Sequence, residues 1–216
     1  MTTGIGGTVS RTTSFPQAAK EMSPRHPELA DCIQRKALRF GDFQLSSGRR
    51  SDYYLDGKMI SFDPEGISLV VEALLQELER VSFSAVGGMD MGATPIVAGL
   101  ALRSEQLKRP IPTFTVRKDK KAHGTQKQIE GPLPPAPCDV VVVDDVVTSG
   151  GSIVQAIEAV EARGYRVVLA ISVVDRNAGG REALRKRRIP YRPLVSLSDL
   201  GIADVTDCRE SEVRSA

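Results

Sequence analysis

The chain has no tryptophan, only ten other aromatic residues and three cysteines in 216 residues. Cys32, Cys138 and Cys208 stand far apart, and none belongs to a C-x-x-C pair. An odd number of scattered thiols excludes a disulfide framework and a zinc signature, and leaves reduced thiols of the kind the cytoplasm keeps. No apolar run approaches the roughly 18 residues that a spanning helix requires, so no membrane partner is expected. Charge of one sign is missing too. The 29 Lys and Arg nearly balance the 27 Asp and Glu, for a net +2, which makes no case for nucleic acid as a partner. Two common phosphate loops are absent: no G-x-x-x-x-G-K-[ST] occurs, and no G-x-G-x-x-G follows a strand. Residues 1–24 are polar, rich in Thr, Ser and Gly, and lack the apolar segment of a signal peptide. They are read as a disordered leader. Residues 204–216 form a polar tail, which leaves 25–203 as a single domain.

What is present is an alternation of helical and extended patterns. The chain is 41% hydrophobic, and a domain of this size buries roughly 70% of its unfolded surface. A helical face runs from Pro27 to Phe40, with Gly41 as its stop. FQLSSGRRSDYYLDGK then alternates about a Ser47-Gly48 turn, which predicts a short antiparallel element, a small hood over about 40–60. Asp63-Pro64 opens a helix as N-cap and first-turn proline. Strands follow at Ser84–Gly88, Thr113–Val116, Cys138–Asp144, Val167–Asp175 and Tyr191–Leu197. Helices at Thr94–Arg103, Ser152–Arg163 and Gly180–Arg188 lie among them. Repeated strand–helix units mean right-handed crossovers and an open parallel α/β sheet flanked by helices. Ligands of such sheets bind at the carboxyl ends of the strands. The stretch 117–137 breaks the rhythm, with little apolar content and four prolines near its end; a loop this long is functional or disordered.

The segment VVVVDDVVTSGGS, Val140–Ser152, concentrates chemistry at one strand end. Thr148, Ser149, Gly150, Gly151 and Ser152 are small enough to turn backbone N–H groups toward an anion, and the helix that follows adds its partial positive charge. Asp144 and Asp145 repel a second phosphate but accept hydrogen bonds from sugar hydroxyls. A phosphate beside a diol describes ribose 5-phosphate. The plainer alternative is a strand–helix junction with Ser152 as N-cap. A second cluster, Arg117-Lys118-Asp119-Lys120-Lys121-Ala122-His123-Gly124, places four cations and a histidine just after an apolar strand. Such a run is commonly a solvated surface. Here it stands at the ligand edge of the sheet and supplies the counter-charge that the acidic motif lacks, as a lid over a departing pyrophosphate would.

VVVVDDVVTSGGS resembles the 5-phosphoribosyl-1-pyrophosphate (PRPP) motif of the type I phosphoribosyltransferases. RKDKKAHG is similar to the catalytic loop R-K-x-x-K-x-H-G of the orotate phosphoribosyltransferases within that family, matching at Arg117, Lys118, Lys121, His123 and Gly124. Arg176, in VVDRNAGGRE, stands where that family binds the orotate carboxylate, a role for which a bidentate guanidinium is suited. The resemblance spans about Glu28 to Leu200. It implies a type I phosphoribosyltransferase fold and a pentosyltransferase of pyrimidine synthesis, joining orotate to PRPP. It further implies PRPP contacts from residues 144–152, including Val146 and Val147, and from Arg117, Lys118, Lys121 and His123. Lys121, His123, Asp144 and Asp145 are the implied catalytic groups. Orotate is implied to meet Arg176, Thr148 and Tyr54. Mg²⁺ is implied to travel with the diphosphate, without direct protein ligands, and the loop to be shared across a homodimer. Many relatives carry Lys where this chain has Ser46, and a Tyr-Lys-Gly where it has Met91-Gly92-Ala93, so those two lysine roles do not transfer. A transferase for another base and a non-enzymatic PRPP-binding regulator remain as alternatives.

Overall fold

The computed structural model describes residues 24–44, 50–118 and 128–202. The leader, Ser46, Lys121, His123 and the tail lie outside the described residues. Helix α1 (Pro27–Lys36) leads into a hairpin of β1 (Leu38–Gln44) and β2 (Arg50–Leu55), followed by a short α2 (Lys58–Ser61) and α3 (Pro64–Leu78). As the sequence predicts, Asp63 caps α3: the Gly66 N–H donates to its carboxylate at 2.8 Å, and Lys36 pairs with it at 2.6 Å, tying α1 to α3.

The strands β3 (Ala85–Met89), β4 (Thr113–Val116), β5 (Ile129–Glu130), β6 (Asp139–Val147), β7 (Arg166–Asp175) and β8 (Tyr191–Ser196) form one sheet, ordered β5-β4-β3-β6-β7-β8. All neighbours pair in parallel except β5, which runs antiparallel to β4 at the edge. Helix α4 (Thr94–Gln106) connects β3 to β4, α5 (Gly151–Glu161) connects β6 to β7, and α6 (Gly180–Lys186) connects β7 to β8. β6 is central, and its valines serve two cores. Val141 and Val143 pack with Val70, Leu74, Ile96 and Leu100 of α3 and α4. Val140 and Val142 pack with Ile153, Ile157 and Leu184 of α5 and α6. Each such side chain removed from water contributes about 1.5–3 kcal/mol. Both faces of the sheet are therefore closed, and its strand ends remain for a ligand.

Three elements depart from the sequence pattern. The first helix stops at Lys36, not Phe40, because Leu38 is drawn into the hairpin and buried with its partner Leu55. Gly41 then falls inside β1, at the register shift between Phe40 and Phe43, and does not end a helix. β6 continues past Asp144 to Val147, since Val146 and Val147 pair with Val174 and Asp175. Residues 128–137, grouped by composition with the basic loop, are packed: Ile129 is buried, Leu133 joins the core, and the Tyr165 hydroxyl donates to the Pro134 carbonyl at 2.9 Å. Among the described residues no helix is long and apolar enough to cross a membrane.

Candidate active site

The acidic pair sits at the carboxyl end of the central strand, locked by its own backbone. The Asp145 N–H donates to Asp144 Oδ1 at 3.1 Å, and the Val146 N–H donates to Asp145 Oδ1 at 2.8 Å. Asp144 is 5% exposed, and Asp145 is half-buried. Burial, and then the neighbouring charge of Asp145, push the Asp144 carboxyl up to about 7. The positive charge of Lys118 pulls it the other way, which places that lysine within electrostatic reach of the pair.

Two glycines close on these carboxylates. A β-carbon at Gly92 would stand 2.6 Å from Asp145 Oδ1 and 2.8 Å from Asp144 Oδ1. One at Gly57 would meet Val146 Cγ2 at 2.7 Å and Asp145 Oδ2 at 3.1 Å. The β3–α4 turn and the end of the hood therefore pack against the pair as bare backbone. That is the physical reason why a side chain is not accommodated at position 92 here.

Helix α5 begins at Gly151. Its N-cap is Gly150, left-handed at φ 86°, and no side chain caps it. Ser152 is thus not the cap that a plain strand–helix junction would use. Thr148, Ser149, Gly151 and Ser152 are exposed around this uncapped first turn, whose N–H groups and dipole favour an anion. The turn between β7 and α6 supports it from behind. The Arg176 N–H donates to the Val147 carbonyl and the Gly180 N–H to the Thr148 carbonyl, both at 2.9 Å. A β-carbon at Gly180 would strike Val147 Cγ1 at 2.2 Å.

Arg176 stands one residue beyond β7, beside this loop. Its Nε is buried and has no hydrogen-bond partner among the described residues. A buried guanidinium donor without an acceptor is costly, so an anionic acceptor from outside the chain fits the position. The Tyr53 ring lies under the guanidinium, 5.2 Å from centroid to Cζ. Tyr54, the aromatic residue that the sequence singles out, faces the other way: it is 44% exposed and packs against Phe43 at 5.6 Å. Strand parity carried the signal, because Tyr53 shares a face with the buried Leu55.

At the base of the basic loop, Arg117 pairs with Glu130 of β5 at 3.1 Å, and its N–H donates to the Gln128 carbonyl at 2.9 Å. This guanidinium thus braces the loop's two ends. Lys118 presents its charge to Asp144, as noted. Among the described residues, one group of three side chains has metal-ligand spacing, Cys32 of α1 with Asp63 and Glu65 at the start of α3. Lys36 and Arg35 already pair with its carboxylates, so it is a salt-bridge cluster of α1 and α3.

Residues 64–189, more than half of the chain, match the phosphoribosyl transferase domain family. An orotate phosphoribosyltransferase of Aquifex aeolicus is 42% identical over 80% of this chain and 96% of its own length. The chain belongs to the orotate phosphoribosyltransferase family. Among solved structures, the orotate phosphoribosyltransferase of Mycobacterium tuberculosis in complex with Fe(III) dicitrate superposes with a TM-score of 0.73 at 36% identity, covering 83% of this chain and all of that one. The same enzyme in complex with PRPP gives a TM-score of 0.69 at 31% identity and the same coverage. The fold is the type I phosphoribosyltransferase fold. Gly57, Gly180 and Tyr53 pack against residues of the sequence motifs, and motif reading misses them because each makes its contact through packing rather than by carrying a reactive group.

Proposed function

We propose that this chain transfers the 5-phosphoribosyl group from PRPP to N1 of orotate, giving orotidine 5′-monophosphate and pyrophosphate. The observation that carries the reading is the unpartnered, buried Nε of Arg176 beside an uncapped helix start and a carboxylate pair. Asp144 and Asp145 accept hydrogen bonds from the ribose hydroxyls, and the 5-phosphate sits on Thr148, Ser149, Gly150, Gly151 and Ser152, with Val146 and Val147 as the adjoining wall. Arg176 takes the orotate carboxylate; Thr148 borders the base, and Tyr54, on the outer face of the hood, lies further from it. The C1′–oxygen bond breaks with its electron pair leaving on the diphosphate, the N1–C1′ bond forms, and the N1 proton is lost to solvent. Lys118, Lys121 and His123 balance the charge that develops on the leaving group, with Arg117 anchoring the loop that bears them.

Mg²⁺ would enter with the diphosphate and neutralise it, held through substrate oxygens and water without a direct protein ligand, while the hard carboxylate oxygens of Asp144 and Asp145 on the ribose side are compatible with a hydrated cation nearby. The basic loop is taken to reach into a partner's site in a homodimer. The two described cysteines are free, which suits the cytoplasm.

In an assay with PRPP and Mg²⁺, pyrophosphate should appear only when orotate is added, in step with orotidine 5′-monophosphate. Release with adenine instead would assign another base, and PRPP binding without release would assign a regulator. Gly92→Ala should lower kcat/KM for PRPP about tenfold or more, because both pinned carboxylate oxygens must move to admit the methyl. Steady-state kinetics with unchanged parameters would show that the turn is looser than its packing.

A further inference from the structure

We propose that Tyr53 is a positioning residue for Arg176, so that the hood sets the orientation of the guanidinium that receives the base. The inference rests on the reading of Arg176 as the orotate-carboxylate group. Arg176 has a fixed backbone, through its N–H to Val147, but among the described residues no carboxylate pairs with its side chain to orient it. Asp175, the residue before it, is fully buried and is occupied elsewhere: its carboxylate accepts from the Asn177 N–H at 2.9 Å and from Arg181 at 3.4 Å. The contact that fixes the Arg176 guanidinium is the face of the Tyr53 ring, at 5.2 Å.

That ring is itself packed into the core. Tyr53 is 9% exposed and belongs to the core cluster with Leu38 and Leu55. It pairs with Phe40 across the hairpin, and the Ser51 hydroxyl donates to its carbonyl at 2.7 Å. An aromatic face beneath a guanidinium holds the plane of the cation while leaving its N–H edge free. The free edge is what a planar carboxylate needs for paired hydrogen bonds. The ring supplies this, not the hydroxyl, so Phe should replace Tyr53 and an aliphatic residue should not. Because β2 carries the ring and the turn just after β7 carries the arginine, the contact also makes the hood part of the base pocket rather than a cover laid over it.

The test is a double-mutant cycle on the full-length enzyme, reading KM for orotate, KM for PRPP and kcat. Tyr53→Leu should raise KM for orotate roughly fivefold to twentyfold, with kcat and KM for PRPP changed less than about twofold. Tyr53→Phe should stay within about twofold of wild type throughout. Arg176→Ala should raise KM for orotate by about a hundredfold. In the Arg176→Ala background Tyr53→Leu should add less than about twofold, since there is no guanidinium left to position. Equal losses from Tyr53→Leu in both backgrounds, or a shared fall in kcat and PRPP affinity, would make Tyr53 a packing residue and overturn the proposal. An unchanged orotate KM in Arg176→Ala would instead sink the assignment of Arg176 itself. Should Tyr53→Leu lower the melting temperature too far to assay, Tyr53→Met, whose unbranched side chain adapts to the space more readily, removes the ring and answers the same questions.

Discussion

Replacing Asp144 by Asn is expected to make the protein more stable at pH 8 and, at the same time, a poorer enzyme. The carboxyl is 5% exposed and its pKa is pushed up to about 7, first by burial and then by Asp145. The sign follows from proton linkage. Below about pH 4, folded and unfolded chains both hold the proton. Between there and pH 7 the unfolded chain releases it and the folded chain keeps it, so this group's contribution to stability declines as pH rises. Above pH 7 the folded protein carries a buried charge beside a second carboxylate, and the full cost is in place. Asn keeps the oxygen that accepts from the Asp145 N–H and carries no charge. Its melting temperature should therefore exceed that of the wild type by about 3 °C or more at pH 8, with a smaller gap at pH 5 and none below about pH 4, where folded and unfolded chains alike hold the proton. Activity should move oppositely: kcat/KM for PRPP should fall about tenfold to a hundredfold, because a charge-assisted acceptor for a ribose hydroxyl is lost. Calorimetry at pH 5 and pH 8 decides the matter. A lower melting temperature at pH 8, or the same gain at both pH values, would mean that Asp144 is not held against its preference.

Lys121→Ala should reduce kcat by about a hundredfold or more, the scale of losing one charge-stabilising donor, while orotate binding through Arg176 is retained. The more discriminating result is expected on mixing. In a homodimer that shares its loops, a Lys121→Ala subunit offers an intact carboxylate pair, and an Asp145→Asn subunit offers an intact loop. Each variant alone should be nearly inactive. After co-refolding in equal amounts, half the dimers are mixed and one site in each mixed dimer is whole, so activity on the order of a quarter of wild type should return. Activity that stays at the level of the separate variants would place each loop over its own subunit's site. A Lys121→Ala enzyme with unchanged kcat would remove the lysine from the leaving-group role altogether.

The motif chemistry was legible without coordinates because it depends on residues close together in the chain. Asp144 to Ser152 need only a buried strand, a turn and a helix start, and Val140–Val143 and Ile153–Ile157 announce both ends by their hydrophobic pattern. Strand existence was equally plain, since valine runs flanked by glycine have few other solutions. Boundaries were less so. Leu38 left the first helix for a strand because its burial against Leu55 outweighs a local helical preference, and Ile129 became an edge strand because β4 had an unpaired side.

By itself, then, the sequence determined the strand–helix alternation, the acidic pair and small-residue turn at 144–152, the basic run at 117–124 and the arginine after β7. Only the tertiary structure decided that Gly57 and Gly92 close on the carboxylates, that Gly180 backs the phosphate turn, and that Tyr53 rather than Tyr54 meets Arg176. The reason is physical. Each of the first group is a local pattern read by one segment of backbone, whereas each of the second is a contact between segments distant in the chain, fixed by close packing across strands and turns that no local spacing encodes.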